Sequence, residues 1–299
     1  MSGRVVRWAL CGALIYDPTL ADYGQLQANI PTVPFVEANN AILTLNESFI
    51  EDIKATSAKC GFDSYLDKYL SYPPPGPQSP SGAYDPKCDI WSEMAAAWFL
   101  VNPCQNIYNI ADGCPIPNDP LATHPNYKPQ VYFNRPDVRE AIHAPKNTHH
   151  LGPGKINHLV DTNWFECGLA QVFPFVPSGN KTGPEGQVDL SPDPIQHVLP
   201  RVIDATQRVL ISNGNYDALI LTNGSLLAIQ NMTWGGELGF QKAPTEDFVV
   251  PGQGVMGKAH EERGLMWVES YASGHMQPQY QPRATLRHLE WMLGRIDSL

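Results

Sequence analysis

Two apolar segments, Arg208-Val209-Leu210-Ile211-Ser212 and Gly264 to Tyr271, each run into a polar, Gly-containing turn and then into a helical pattern. A strand buried on both faces reads as such an unbroken apolar run, and a helix that follows it carries the chain back to lay down a parallel neighbour. The first unit is Asn213-Gly214-Asn215-Tyr216-Asp217 followed by a helix over 218–230, with another helix over 196–207 leading in. The second is Ser273-Gly274-His275 followed by a helix over 283–298, with Leu286, Leu289, Leu293 and Ile296 on one face. A third apolar strand, over 5–16, is closed by Asp17-Pro18. Repeated strand, turn and helix units predict an α/β chain with a doubly wound sheet, whose ligands sit at the carboxyl ends of the strands.

Between these units the pattern changes. Residues up to about 45 read as loop-rich. Asn46-Glu47-Ser48 then opens a helix in which Phe49, Ile50, Ile53, Ser57 and Cys60 recur at helical spacing, up to Gly61-Phe62. Tyr72 to Pro80 holds five prolines and reads as an exposed connector, because proline fixes φ and removes a donor. A second helix is predicted over 89–101, with Ile90, Met94, Ala97 and Phe99 to Val101 available to the core. Gln130 to Phe133 reads as a strand, followed by a helix over 136–142 that opens on Pro136, where a first turn accepts proline. The expected organisation is a core part over 1–45, a helical insertion over 46–125 and the rest of the core over 126–299.

Twenty Lys and Arg against thirty Asp and Glu give a net charge of −10 and exclude the phosphate-neutralising surface that nucleic-acid binding needs. No apolar stretch approaches the roughly 20 residues that span a bilayer, so no membrane segment is expected. Asn46, Asn180, Asn223 and Asn231 each open an Asn-X-Ser/Thr acceptor, and with six cysteines they point to an oxidising secretory compartment. The Arg4, Arg7 and Trp8 to Ile15 stretch lacks a small-residue cleavage site and reads as a strand, not a secretion signal.

Asp217 and His275 are the candidate chemistry, since each stands just past an apolar strand in a Gly-containing turn. A carboxylate there orients an imidazole, and the imidazole takes a proton from a nucleophile. Three other patterns are set aside. Val268-Glu269-Ser270-Tyr271-Ala272-Ser273 has Val268 where a nucleophile elbow needs glycine, so Ser270 reads as a strand residue. Gly252-Gln253-Gly254-Val255-Met256-Gly257 fits a dinucleotide fingerprint but lacks the following helix and reads as a loop between strands. His149, His150 and His158 have no acidic or Cys partner at ligand spacing. No metal and no cofactor is expected.

Four further blocks carry a resemblance: Tyr132-Phe133-Asn134-Arg135-Pro136-Asp137-Val138-Arg139-Glu140-Ala141-Ile142-His143-Ala144, the turn Asn213 to Asp217, Trp234-Gly235-Gly236-Glu237-Leu238-Gly239-Phe240, and Ser273-Gly274-His275-Met276-Gln277-Pro278-Gln279-Tyr280-Gln281-Pro282. With Asn102-Pro103-Cys104-Gln105-Asn106-Ile107-Tyr108, they make the chain resemble the serine carboxypeptidases of the α/β-hydrolase superfamily, in particular the fungal secreted or vacuolar members. The resemblance implies an α/β-hydrolase core with a helical cap insertion and release of C-terminal amino acids from peptide or protein substrates. It places the triad acid on Asp217, the base on His275, and a substrate-lining residue on Met276. Asn215 and Gln277 depart from the family pattern without removing a triad atom.

The family's Trp-x-Asn-Gly-Gly-Pro-Gly loop and Gly-Glu-Ser-Tyr-Ala-Gly elbow do not occur in this sequence. The chain is therefore expected to lack the N-terminal strands and the nucleophile, and to need a missing N-terminal segment as partner. An acid and a base without a nucleophile have nothing to activate. A catalytically inactive secreted glycoprotein of the same fold is the alternative. Of the fifteen full cysteine pairings, helix ends favour Cys60 with Cys88, and a short loop favours Cys104 with Cys114. Cys11 is expected as a buried thiol. Cys167 resembles a family position that bridges to an absent N-terminal cysteine and is expected to be unpaired.

Overall fold

Five strands form one mixed sheet: β1 (Ala13–Tyr16), β2 (Val209–Gly214), β3 (Glu246–Val250), β4 (Gly254–Glu262) and β5 (Leu265–Ser270), in the order β1-β2-β5-β4-β3. β1 pairs in parallel with β2, and β2 with β5, while the β5–β4 and β4–β3 pairs are antiparallel. In this computed structural model, residues 11–82, 85–114, 132–143, 175–176, 186–187 and 191–299 are described. The chain divides into two compact units, one of residues 1–113 with 193–299 and one of residues 114–192.

The first unit adds helices α1 (Thr32–Leu43), α2 (Glu47–Cys60), α3 (Phe62–Tyr69), α4 (Ile90–Val101), α5 (Leu199–Thr206), α6 (Thr222–Gln230) and α7 (Pro282–Met292). Every residue of β2 is buried, and its side chains alternate between two cores. Val209 and Ile211 pack with Trp267 of β5, Ile203 of α5 and Ile229 of α6. Leu210 packs on the other face with Met266 and Val268 of β5, and with Ala284 and Trp291 of α7. The sheet is thus covered by helices on both faces, as the unbroken apolar runs require. A third core joins α1 to α4 through Val36, Ile53, Leu66 and Trp98, and reaches Ala218 and Leu227. Cys60 and Cys88 are disulfide-bonded across a separation of 28 residues, and Cys104 and Cys114 are both disulfide-bonded as well. In the second unit the described residues form a short 3-10 turn (Tyr132–Asn134), a helix (Pro136–Ala141) and a two-stranded pairing of Phe175–Val176 with Gly186–Gln187.

Several expectations are corrected. Residues before 45 are not mainly loop: Tyr23–Asn29 forms π-helical turns and α1 follows, with Pro34 in its first turn, where no intrahelical donor is lost. Gly254–Glu262 is a nine-residue strand of a hairpin and not a loop, because antiparallel pairing to β5 supplies its backbone partners. Tyr132–Asn134 is a 3-10 turn in place of a strand, while residues 130 and 131 lie outside the described residues. Cys11 precedes β1 and is exposed, contrary to a buried thiol. In α4 the buried side is Ile90, Met94 and Trp98, at spacing i, i+4, i+8, which leaves Phe99, Leu100 and Val101 in water. In α7 the leucine stripe is also outward, with Leu286, Leu289 and Leu293 exposed at 52, 43 and 56%. Ala284, His288 and Trp291 face the sheet instead. The Tyr72–Pro80 connector is irregular but anchored: the Gln78 backbone N–H donates to Asn231 Oδ1 at 2.9 Å, and the Tyr65 hydroxyl to the Ser79 carbonyl at 2.9 Å.

Candidate active site

The C-terminal ends of the three parallel strands converge on one polar cluster. β1 delivers Asp17, β2 is followed by the turn ending at Asp217, and β5 by the turn carrying His275. His275 Nδ1 lies 2.7 Å from Asp217 Oδ2, and Asp217 is fully buried while His275 is partly exposed. Asp217 also accepts the Leu219 backbone N–H at 2.8 Å. This geometry holds the imidazole in the tautomer with its proton on Nδ1, which leaves Nε2 as the basic nitrogen. Burial pushes the Asp217 carboxyl up, and the His275 hydrogen bond and charge, with backbone N–H groups, pull against that.

The two turns are locked by backbone contacts. Tyr216 N donates to the Ser273 carbonyl at 2.8 Å and Asn215 N to the Ser270 carbonyl at 3.0 Å. A segment from the α4 side crosses both: His275 N donates to the Tyr108 carbonyl at 2.7 Å, and Ala218 N to the Ile107 carbonyl at 2.9 Å. Two glycines allow this approach. A Cβ on Gly214 would stand 2.4 Å from the Ser273 carbonyl oxygen, and one on Gly274 would stand 2.1 Å from that of Tyr108.

Beneath the pair lies a buried polar network. Asp17 Oδ1 accepts the Gly214 backbone N–H at 2.8 Å, and Asp17 Oδ2 accepts from Gln277 Nε2 at 2.7 Å. The Ser212 hydroxyl donates to Gln277 Oε1 at 2.7 Å, and Ser212 Oγ is 3.3 Å from Ser270 Oγ. Ser270 is the buried last residue of β5. Asp17, Asp217 and His275 bring three ligand-type atoms within 4.8 Å of one another, and each of the three residues is hydrogen bonded within the network.

Asp217 and His275 are therefore brought together, and Met276 stands half-buried next to His275. Asp17 and Gln277 were not singled out from the sequence as site residues. The available signal was an acid at the end of an apolar strand, the same placement that marked Asp217. Among the potential glycosylation positions, Asn46 is exposed, Asn223 and Asn231 are half-buried, and Asn180 lies outside the described residues, as do Cys167, His149, His150 and His158. His260 is tied to Glu262, with its Nε2 2.7 Å from Glu262 Oε1, and takes no part in the cluster.

A family profile described as "Serine carboxypeptidase" matches residues 6–295. Serine-type carboxypeptidase F of Aspergillus niger is 44% identical over 97% of this chain and 56% of its own length. A carboxypeptidase Y homolog of Arthroderma benhamiae is 38% identical over 96% of this chain and 53% of its own length. The chain thus spans about half the length of the curated relatives it matches. A prohormone-processing carboxypeptidase from Saccharomyces cerevisiae is a structural match at 16% identity, with a TM-score of 0.49, covering 94% of this chain and 54% of that one.

Proposed function

Because the chain belongs to the serine carboxypeptidase family, we propose that Asp217 and His275 are the acid and base of a serine-type carboxypeptidase that releases C-terminal amino acids from peptides. The observation that carries this reading is the 2.7 Å bond from His275 Nδ1 to Asp217 Oδ2 at the ends of two adjacent parallel strands. The sheet, covered on both faces, serves as an α/β-hydrolase core, and the helices from α2 to α4 as its cap. In this chemistry His275 Nε2 takes the proton of a nucleophilic hydroxyl and later returns it to the leaving amine, while Asp217 stabilises the imidazolium that forms. Met276 lies beside the substrate's C-terminal residue. The protein works in a secreted or vacuolar compartment, with disulfides and glycans fitted to that environment.

A second reading, a non-catalytic secreted glycoprotein, is favoured by one observation: no Gly-x-Ser-x-Gly occurs in these 299 residues. The test is release of free amino acid from an N-blocked dipeptide at acidic pH by the full gene product. His275→Ala should lower kcat by about 10⁴-fold and Asp217→Asn by a comparable factor, because an amide holds the wrong tautomer, while His260→Ala stays near wild type. Equal losses at His275 and His260 would sink the assignment, and no turnover in the full product would leave the glycoprotein reading. The 299 residues alone are expected to release nothing, and turnover that vanished on Ser270→Ala would overturn that expectation.

A further inference from the structure

Asp17 sits where the two catalytic turns meet. Its backbone is left-handed, at φ 44°, and its N–H donates to the Ser212 carbonyl at 2.8 Å, so the chain leaves β1 with the side chain turned toward the ends of β2 and β5. One carboxyl oxygen holds Gly214, three residues before Asp217, and the other holds Gln277, two residues after His275. One side chain therefore braces both the turn of the acid and the turn of the base, across 197 and 260 residues of sequence. Asp17 is buried, and one of its carboxyl oxygens lies within 4.8 Å of one of Asp217. Two buried carboxyl groups this close resist being ionised together unless a cation compensates them.

We infer that Asp17 is a positioning residue of the site, a carboxylic acid that keeps its proton at neutral pH, donates it toward Asp217 and braces the turns carrying Asp217 and His275. The inference rests on the reading of Asp217 and His275 as acid and base. Both carboxyls accept two N–H groups, but the partners of Asp17, Gly214 and Gln277, are neutral, whereas Asp217 is bonded to the ionisable ring of His275 and is the one that can keep its charge. Among the described residues no Lys or Arg is paired with Asp17, and the one ionisable base in the cluster, His275, is bonded to Asp217. The titratable groups around the pair are Asp217, His275 and two tyrosines, Tyr16 from β1 and Tyr23 from the π-helical turns. Both tyrosines are raised by burial and by the neighbouring carboxylates, and so stay neutral. Burial first, and Asp217 second, hold Asp17 well above the usual carboxylate range, against the hydrogen bonds of Gln277 and Gly214. A neutral Asp17 makes the Asp217 oxygens acceptors of one more hydrogen bond and leaves the imidazole a single negative partner.

The test does not need turnover. Infrared difference spectroscopy of the full gene product should show the C=O stretch of a protonated carboxyl at neutral pH, and that band should be missing in Asp17→Asn. Spectra with carboxylate bands alone in the wild type would overturn the inference, whether or not Asp17→Asn folds. A neutral amide replaces a neutral acid in Asp17→Asn, so the His275 imidazole should keep its NMR titration midpoint. A fall of more than about one pH unit would mean that a negative charge had been removed, and would also overturn it. Asp17→Ala, which loses the brace, should lose the downfield Nδ1–H signal of His275 that Asp17→Asn retains. An inactive protein that shows the band would refute the proposed function and leave this inference standing; an active protein without it would do the reverse.

Discussion

Gly214→Ala tests whether the close approach of two turns sets the Asp217–His275 bond. The added Cβ would stand 2.4 Å from the Ser273 carbonyl oxygen and 2.5 Å from that of Gly274, both backbone atoms with no rotamer to yield. Restoring an ordinary contact of roughly 3.4 Å requires a displacement of about 1 Å between the end of β2 and the His275 turn. Insertion into a packed site of this kind costs about 1–3 kcal/mol, which at about 2–4 °C per kcal/mol is a visible drop in Tm. A shift of about 1 Å also takes the 2.7 Å Asp217–His275 pair out of hydrogen-bond range. Activity should then fall about 100-fold in the full gene product. The assay pairs thermal unfolding with the downfield NMR signal of the His275 Nδ1–H. Gly224→Ala is the control: its Cβ would meet Gln27 Cα at 2.5 Å, a clash of the same size away from the dyad. It should cost comparable stability and keep the signal. A Gly214→Ala protein that retains both the Nδ1–H signal and wild-type stability would refute the reasoning.

His288 is buried, neither ring nitrogen finds a hydrogen-bond partner among the described residues, and burial pushes it down to about 3. Its neutral form therefore contributes stability above pH ~6.5 that is lost as pH falls toward 3, at about 1.4 kcal/mol per pH unit. The raised carboxyls of Asp17 and Asp217 act oppositely, losing stability as pH rises through their folded-state values, so only a comparison with a variant isolates the histidine. Between about pH 7 and pH 5 the wild type should lose about 2 kcal/mol more than His288→Phe in urea unfolding, and parallel losses would refute this. Replacing Cys60 and Cys88 by Ala should cost about 3–4 kcal/mol, the loop-closure entropy of a 28-residue separation, and a change under 1 kcal/mol in calorimetry would show that the α2–α4 packing does not need the bridge. In a fungal secretion host, Asn46 should carry glycan more fully than Asn231, because Asn46 is exposed and Asn231 is half-buried; peptide mapping with the reverse occupancy would refute it.

What the sequence determined by itself is local. Asn46 and Asp89 cap α2 and α4 as their positions before the helical patterns require, and the apolar runs at 209–212 and 265–270 became neighbouring strands. The placement of Asp217 and His275 past those strands was enough to pair them, because parallel neighbours present their carboxyl ends side by side. Tertiary structure decided two other things. The first is which side of an amphipathic helix is inside: the α7 leucines repeat at the right spacing, yet His288 and Trp291 are the residues that meet the sheet. Periodicity reports only that a face is apolar, and the neighbouring layer chooses which face is covered. The second is the convergence of Asp17, Gly214 and Gln277, which stand up to 260 residues apart. The place of Asp17 at the end of an apolar strand marks it as a candidate, as it does Asp217, but whether it is a turn residue or a buried brace is settled only when β1 is laid beside β2 and water is excluded from the carboxyl.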